Sequence, residues 1–171
     1  MNVEPCRSLR EWLADPGAQG VNATLAAQPK DAGDVVAAIA TFADETTDVQ
    51  AAEGRVAKPA PSCTVTVTDT RVPEIEGVGP TQDFQVDVLV QVTYDGATIE
   101  QNVRDAGYAM RAVIRSLRHL HEQANDAARS RNGVVLYSCL AINPLGIATQ
   151  AESAEITAGV LVTYQGRDSA S

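Results

Sequence analysis

Lysine, histidine, cysteine and aromatic residues are all scarce in this chain, and each shortage closes off a class of function. Only Lys30 and Lys58 are lysine among 13 basic residues, which face 22 acidic ones for a net charge of −9. Non-specific attachment to nucleic acid or to an anionic bilayer needs the opposite balance, so neither is expected of the molecule as a whole. The three cysteines, Cys6, Cys63 and Cys139, are too widely spaced for a C-x-x-C pair. That spacing argues against a disulfide framework and a thiolate metal site, and leaves them as small apolar fillers. No apolar run approaches the ~20 residues of a membrane span. Residues 1–14 carry Glu4, Arg7, Arg10 and Glu11 where an export signal needs an apolar stretch. The chain is therefore expected to be soluble, to have no membrane partner, and to be made in the cytosol.

Catalytic patterns are equally thin. There is no G-x-S-x-G nucleophile elbow and no cysteine with a plausible histidine beside it. His119 and His121, two positions apart on a predicted helix, point about 200° away from each other and cannot share one metal. Gly77-Val78-Gly79-Pro80 lacks the lysine and the following helix of a phosphate-binding loop and reads as a turn. The carboxylate pairs Glu74/Glu76 and Asp44/Glu45 fall in a loop and at a predicted helix end, with nothing apolar nearby to raise a pKa, so they read as solvated. No enzymatic activity, cofactor or metal is expected.

What is present is an apolar content of 44%, enough for one domain over residues 1–171. Residues 1–58 read as a helical segment and linker, and residues 59–168 as a sheet-and-helix core. A short helix is predicted over 5–14, where Leu9, Trp12 and Leu13 share a face before Asp15-Pro16-Gly17. A second turn is expected over 21–27. Asp31 is expected to cap a helix over 34–44, with Val35, Val36, Ile39 and Phe42 on its apolar side. The stretch 46–61, with Gly54, Pro59 and Pro61, reads as a linker. At Cys63 the period changes to two. Cys63, Val65 and Val67 alternate with threonines, and Phe84 to Tyr94 alternate over a longer strand. Between them, 71–82 reads as a loop. Thr98 and Gln101 form a capping-box pattern at the start of a long helix carrying Ile99, Val103, Ala106, Met110, Val113, Leu117, Leu120 and Ala124, stopped by Asn132-Gly133. Strands over 134–142, ended by Asn143-Pro144, and over 154–165 follow. The order is helices, then β-β-α-β-β: an α/β (α+β) two-layer sandwich, mainly antiparallel, with the long helix covering the sheet's apolar face.

Two surface features stand out. Arg104, Arg111, Arg115 and Arg118 fall within about 60° of one another on the long helix, well away from its apolar stripe. The window 104–131 holds six arginines against Asp105, Glu122 and Asp126, a net +3 that leaves −12 for the remainder. Such a seam is either a solvated face paired with Asp105 and Glu122 or a docking surface for acid, for which the forked guanidinium suits better than lysine. The second feature is the strand face opposite the core. It carries Thr64, Thr66, Thr68, Gln85, Asp87, Leu89, Gln91, Thr93, Glu155, Thr157, Gly159, Leu161 and Thr163, and none of these is Lys or Arg. It is either a plain solvent face or a surface that stays polar while repelling polyanions.

The order of elements resembles the tail terminator proteins of long-tailed bacteriophages, over roughly residues 59–165. The matching stretches are the N-terminal Ser8-Leu9-Arg10-Glu11-Trp12-Leu13, Thr64-Val65-Thr66-Val67 with its Pro/Gly-rich continuation to Pro80, and the alternating strand Phe84 to Tyr94. To these are added the helix opening Thr98-Ile99-Glu100, the irregular strand from Val135 to Ile147, and the closing Leu161-Val162-Thr163-Tyr164. The resemblance implies a structural virion protein. It would form a ring, a hexamer in that family, that caps the tail tube and joins it to the head-completion or connector protein. It would be assembled in the host cytoplasm, with genomic DNA passing through unbound. It further implies that Thr66, Gln85, Asp87, Gln91 and Thr93 face the channel, while Arg104, Arg111, Arg115 and Arg118, with Val72, Ile75 and Val78 of the loop, meet neighbouring subunits. Competing expectations are another neck subunit, a soluble α+β dimer binding a small ligand between sheet and helix, and a hydrolase using Ser, Asp and one of the histidines.

Overall fold

The computed structural model describes residues 4–44, 50, 53–54, 59–71, 83–122, 130–131, 134–149 and 153–168. The period-two segments become strands β2 (Ser62–Arg71), β3 (Asp83–Tyr94) and β6 (Ile156–Asp168) at the centre of one sheet. With β1 (Thr41–Asp44), β4 (Ser130–Arg131) and β5 (Val134–Thr149), the sheet has six strands in the order β1-β2-β3-β6-β5-β4. Only the β1–β2 pair is parallel. The β3–β6 ladder is unbroken from Asp83↔Arg167 to Tyr94↔Ile156, so every side chain on these two strands keeps its face.

One face of the sheet is the core. Cys63, Val65, Val86, Val88, Val90, Val92, Val160, Val162 and Tyr164 are almost wholly inaccessible, as the alternation requires. Helices α1 (Glu4–Leu13) and α3 (Ile99–Glu122) cover it, and α2 (Val21–Ala27) packs on α3. The two-layer α+β architecture expected from the sequence is thus the observed one. Helix α3 lays Ala106, Ala109, Ala112, Val113 and Leu117 against the strands. Thr98 caps it, accepting the Gln101 N–H at 3.3 Å, but the Gln101 side chain turns to Asp105 Oδ1 at 2.6 Å, so only half of the capping box forms. Asn102 closes this end by donating to the carbonyls of Gly96 and Ala154 at 3.0 and 2.6 Å. Helix α1 buries Leu9, Trp12 and Leu13 and is tied to α3 by the Trp12 indole N–H on the Ser116 carbonyl at 2.9 Å.

Three expectations are corrected. Residues 34–44 are not a helix: 31–34 close a turn through the Asp34 N–H on the Asp31 carbonyl, 35–40 carry no regular secondary structure, and Thr41–Asp44 pair in parallel with Ser62–Val65. Their apolar spacing mimics a helical face, yet Val35 points to solvent at 82% exposure while Ile39 is buried. Side chains from three other elements outbid the local helix. Asn22 bonds both the N–H and the C=O of Ile39, at 2.8 and 3.0 Å; Tyr94 donates to the Ala37 carbonyl at 2.9 Å; and Tyr108 accepts the Asp31 N–H at 2.8 Å. Asp44 is, in consequence, no solvated helix end but a buried strand residue bonded by Arg10 Nε at 2.8 Å. Finally, β5 does not end at Asn143-Pro144 but continues to Thr149, with register shifts at 136/138, 139/141 and 144/146. Beyond Val135 the outer side of β5 pairs with no other described strand, so a proline lacking an N–H is tolerated there. Cys6 and Cys63 are buried fillers as expected, burial pushing the Cys63 thiol up to about 12. The helix stop at Asn132-Gly133, Ala124, and the 72–82 part of the loop lie outside the described residues.

The turn before α2 gives a sharp test. A Cβ on Gly20 would lie 1.7 Å from the Asp15 carbonyl oxygen, whereas one on Gly107, within α3, would meet nothing within 4 Å. Gly20→Ala is expected to lower unfolding stability by about 1–3 kcal/mol. Gly107→Ala is expected to raise it by up to about 1 kcal/mol. Urea denaturation of the two variants checks the contrast.

Candidate functional site

The four arginines share the solvent side of α3, all exposed, but the structure divides them by what they touch. Arg104 is committed within the fold: its Nη1 bonds Asp34 Oδ1 at 2.8 Å. Tyr108 donates to the other oxygen of the same carboxylate at 2.9 Å. The hydrogen bond from Arg104, with that from Tyr108, holds the Asp34 carboxyl below its ordinary range. Tyr108 itself is pulled down by the Asp31 N–H, but burial and the bond to Asp34 outweigh this and leave its pKa raised. Arg111 lies over the Tyr108 ring, 5.7 Å from its centroid, in cation–π geometry. Arg115 and Arg118 have no acidic partner among the described residues. The pairing with Asp105 and Glu122 expected of a merely solvated face does not form. Asp105 turns inward to Gln101, and Glu122 lies 3.8 Å from His119.

Opposite these side chains runs residues 28–31. Gln28 donates to the Tyr108 carbonyl at 2.8 Å, and the Lys30 ammonium caps the last carbonyls of α2 at Leu25 and Gln28. Between this segment and α3 lie two adjoining hollows. One, of about 390 Å³, is lined by Gln28, Pro29, Ile114, Arg111, Arg115 and Arg118. The next, of about 510 Å³, shares Pro29 and Arg111 with it and adds Lys30, the acidic Asp31, Arg104, Tyr108, Gly107 and Ile147 among others. They make one groove along the helix, cationic on the α3 wall and apolar at intervals. Sequence reasoning placed the arginines but missed the opposite wall, because Gln28, Pro29 and Lys30 sit in no periodic pattern. Val72, Ile75 and Val78 lie outside the described residues.

The second expected surface is the sheet face away from the helices, and Thr66, Gln85, Asp87, Gln91 and Thr93 all lie on it, each half-buried. Hydroxyls knit it together. Thr163 donates to Asp87 Oδ1 at 2.7 Å, the Thr93 and Thr157 hydroxyls are 3.0 Å apart, and Thr68 donates to the Asp87 carbonyl at 3.1 Å. Among the described side chains of this face none is basic. The register continues at one end through Arg71 and Arg167, whose side chains lie outside the described ones. Leu89 and Leu145 both flank Gly159, where a Cβ would lie 3.7 and 3.8 Å from their Cδ1 atoms, and Gly146 next to the bulge adopts φ +84.

No cluster of three His, Cys, Asp or Glu that could hold a metal occurs among the described residues. No described helix is long and apolar enough to cross a membrane. Comparison of the chain with protein-family models and with curated proteins finds no match.

The helix supplies a pH test. Burial raises the Asp105 pKa, and the hydrogen bond from Gln101 offsets this only in part. A carboxyl whose folded pKa is raised is penalised at pH values above that pKa, and the penalty vanishes once pH falls below the unfolded value. Asp105→Asn, which can still accept from Gln101, is therefore expected to melt higher than the parent at pH 7. The difference should disappear below the ordinary aspartate range, as followed by circular dichroism melts across pH.

Proposed function

We propose that this chain is a non-enzymatic structural subunit that assembles into a closed ring, a tail terminator or a related neck protein of a long-tailed phage or phage-derived particle. In that role it would be built into the virion where the tail tube meets the head-completion protein. The observation that carries the reading is the division of charge between the two layers: Arg115 and Arg118 without an acidic partner among the described residues on the helix side, and no described basic side chain on the uncovered sheet face. A ring closes through a heterologous interface, one patch against a different one, and a cationic helix face on an otherwise acidic subunit supplies two unlike patches. A channel wall built from Thr66, Gln85, Gln91 and Thr93 would let DNA slide, because it offers phosphates no cation.

A small-ligand dimer is less favoured. The residues α3 sets against the sheet are fully buried, and the hollows described above open outside that interface.

Native mass spectrometry and negative-stain micrographs of the purified protein test the proposal. A single oligomer with a central hole, seated at the ends of tail tubes when these are added, is expected; a monomer or a two-fold dimer at every concentration overturns it. The channel assignment has its own test at Gln85 and Gln91, because Asp87 carries the Thr163 bond and its loss would disturb the face. Gln85→Lys with Gln91→Lys should leave assembly intact and slow DNA release, the defect easing as salt is raised. Normal release from fully assembled particles would remove these residues from the channel.

A further inference from the structure

We propose that the groove between α3 and residues 28–31 is a docking site for an extended acidic segment of a second copy of this chain. Its carboxylates would meet Arg115 and Arg118, and its apolar side chains Ile114, Pro29 and Ile147. The inference deepens the ring reading and rests on it for the identity of the partner. Three observations carry it.

The first is charge without compensation. Arg115 and Arg118 line the same hollow and have no acidic partner among the described residues, in a chain whose net charge is −9. Guanidinium groups held side by side on a helix repel one another, and an incoming carboxylate relieves this while making forked bonds. The second is the alternation of the lining. Ile114 interrupts the cationic α3 wall, and Pro29 and Ile147, the last 49% exposed, add apolar surface to the rest of the lining. A phosphate backbone would leave these apolar patches unused, whereas a peptide with apolar residues between its acids would cover them. The third is the floor. Gly107 stands mid-helix with open space where a Cβ would lie, so no described residue of the chain requires glycine there, while a close-lying backbone from outside would.

The chain contains one stretch of matching chemistry. Residues 72–78 read Val-Pro-Glu-Ile-Glu-Gly-Val, with acids and apolar residues interleaved, and no basic residue occurs from 72 through 103. The groove offers side chains rather than a strand edge, so recognition would be by charge and apolar contact.

The test uses the full chain and a peptide. Glu74→Arg with Glu76→Arg should remove the occupant and leave the groove vacant. A labelled peptide of residues 72–80 titrated into that variant should bind. Adding Arg115→Glu and Arg118→Glu to the same protein should weaken binding roughly tenfold or more, as should replacing both peptide glutamates by glutamine. Either two-residue reversal alone should lower the assembled mass, and the fourfold variant, with both signs exchanged, should recover it. Circular dichroism melts confirm that each variant is folded.

If the parent assembles but the peptide does not bind and neither reversal alters the mass, the docking site is wrong while the ring stands. If each reversal blocks assembly and the fourfold variant fails to recover, the pairing is overturned. If the parent is monomeric throughout yet binds the peptide through Arg115 and Arg118, the ring reading fails while the groove's preference stands. A single-stranded oligonucleotide that binds the groove more tightly than the peptide assigns it to nucleic acid and overturns the proposal.

Discussion

The helical side of this molecule depends on how residues 28–40 are held, with 34–40 among them kept from the helix that their apolar spacing predicts. Asn22 grips both polar groups of Ile39, Tyr94 reaches the Ala37 carbonyl, and Tyr108 with Arg104 fixes the turn at Asp31 and Asp34. A short helix in isolation is marginal, because few intrahelical bonds repay the ordering of its first turn, so several bonds from already folded elements are enough to displace it. The consequences spread in two directions. Downstream, the chain arrives extended at Thr41 and adds a parallel edge strand beside β2, which buries Asp44 against Arg10. Upstream, Gln28 to Asp31 are set alongside α3 and become the second wall of the arginine groove.

That dependence also explains which parts of the fold were legible in the sequence. Period-two segments such as Phe84 to Tyr94 and Ile156 to Tyr164 commit one whole face to the core, and a one-residue slip would expose every valine on it; their strands and their shared register follow. The long helix is legible for the same reason, its apolar residues recurring over 24 residues. Residues 34–44 were misread because a window of only eleven residues holds too few apolar positions to distinguish a helical face from an accident of spacing. What decided them were single polar contacts from Asn22, Tyr94 and Tyr108, as many as 77 positions away in the chain. Pro144 misled in the other direction. It marks a strand end where both sides are paired, but β5 has a described neighbour on one side only there, and the strand passes through it with a bulge.

The candidate site shows the same division. A seam of arginines on one helix is visible from spacing alone, since the helix fixes their relative directions. Their differing roles are not, because these depend on what stands opposite. Arg104 finds Asp34, Arg111 finds the Tyr108 ring, and Arg115 and Arg118 find only Gln28, Pro29 and Ile114. Half of the seam therefore belongs to the fold and half is left over. Replacing Arg104 would disturb the 31–34 turn, so its effect on association could not be separated from its effect on structure. Arg115 and Arg118 carry no such burden.

The two layers place opposite demands on charge. On the sheet face, threonine hydroxyls satisfy one another and Asp87 through cross-strand bonds, so the face stays polar without a single described cation. Such a surface is inert toward polyanions, since it neither neutralises phosphate nor releases counterions. On the helix face, positive charge is concentrated and partly confined in a groove, where the low-dielectric walls of Ile114 and Pro29 strengthen its field. A subunit acting alone gains nothing from this arrangement, because exposed arginines add little stability and repel one another. In the closed ring proposed above, each copy would present its cationic groove to the acidic remainder of the next, and the repulsion within one helix would become attraction between two. The sheet face would then be free to line whatever the ring encloses.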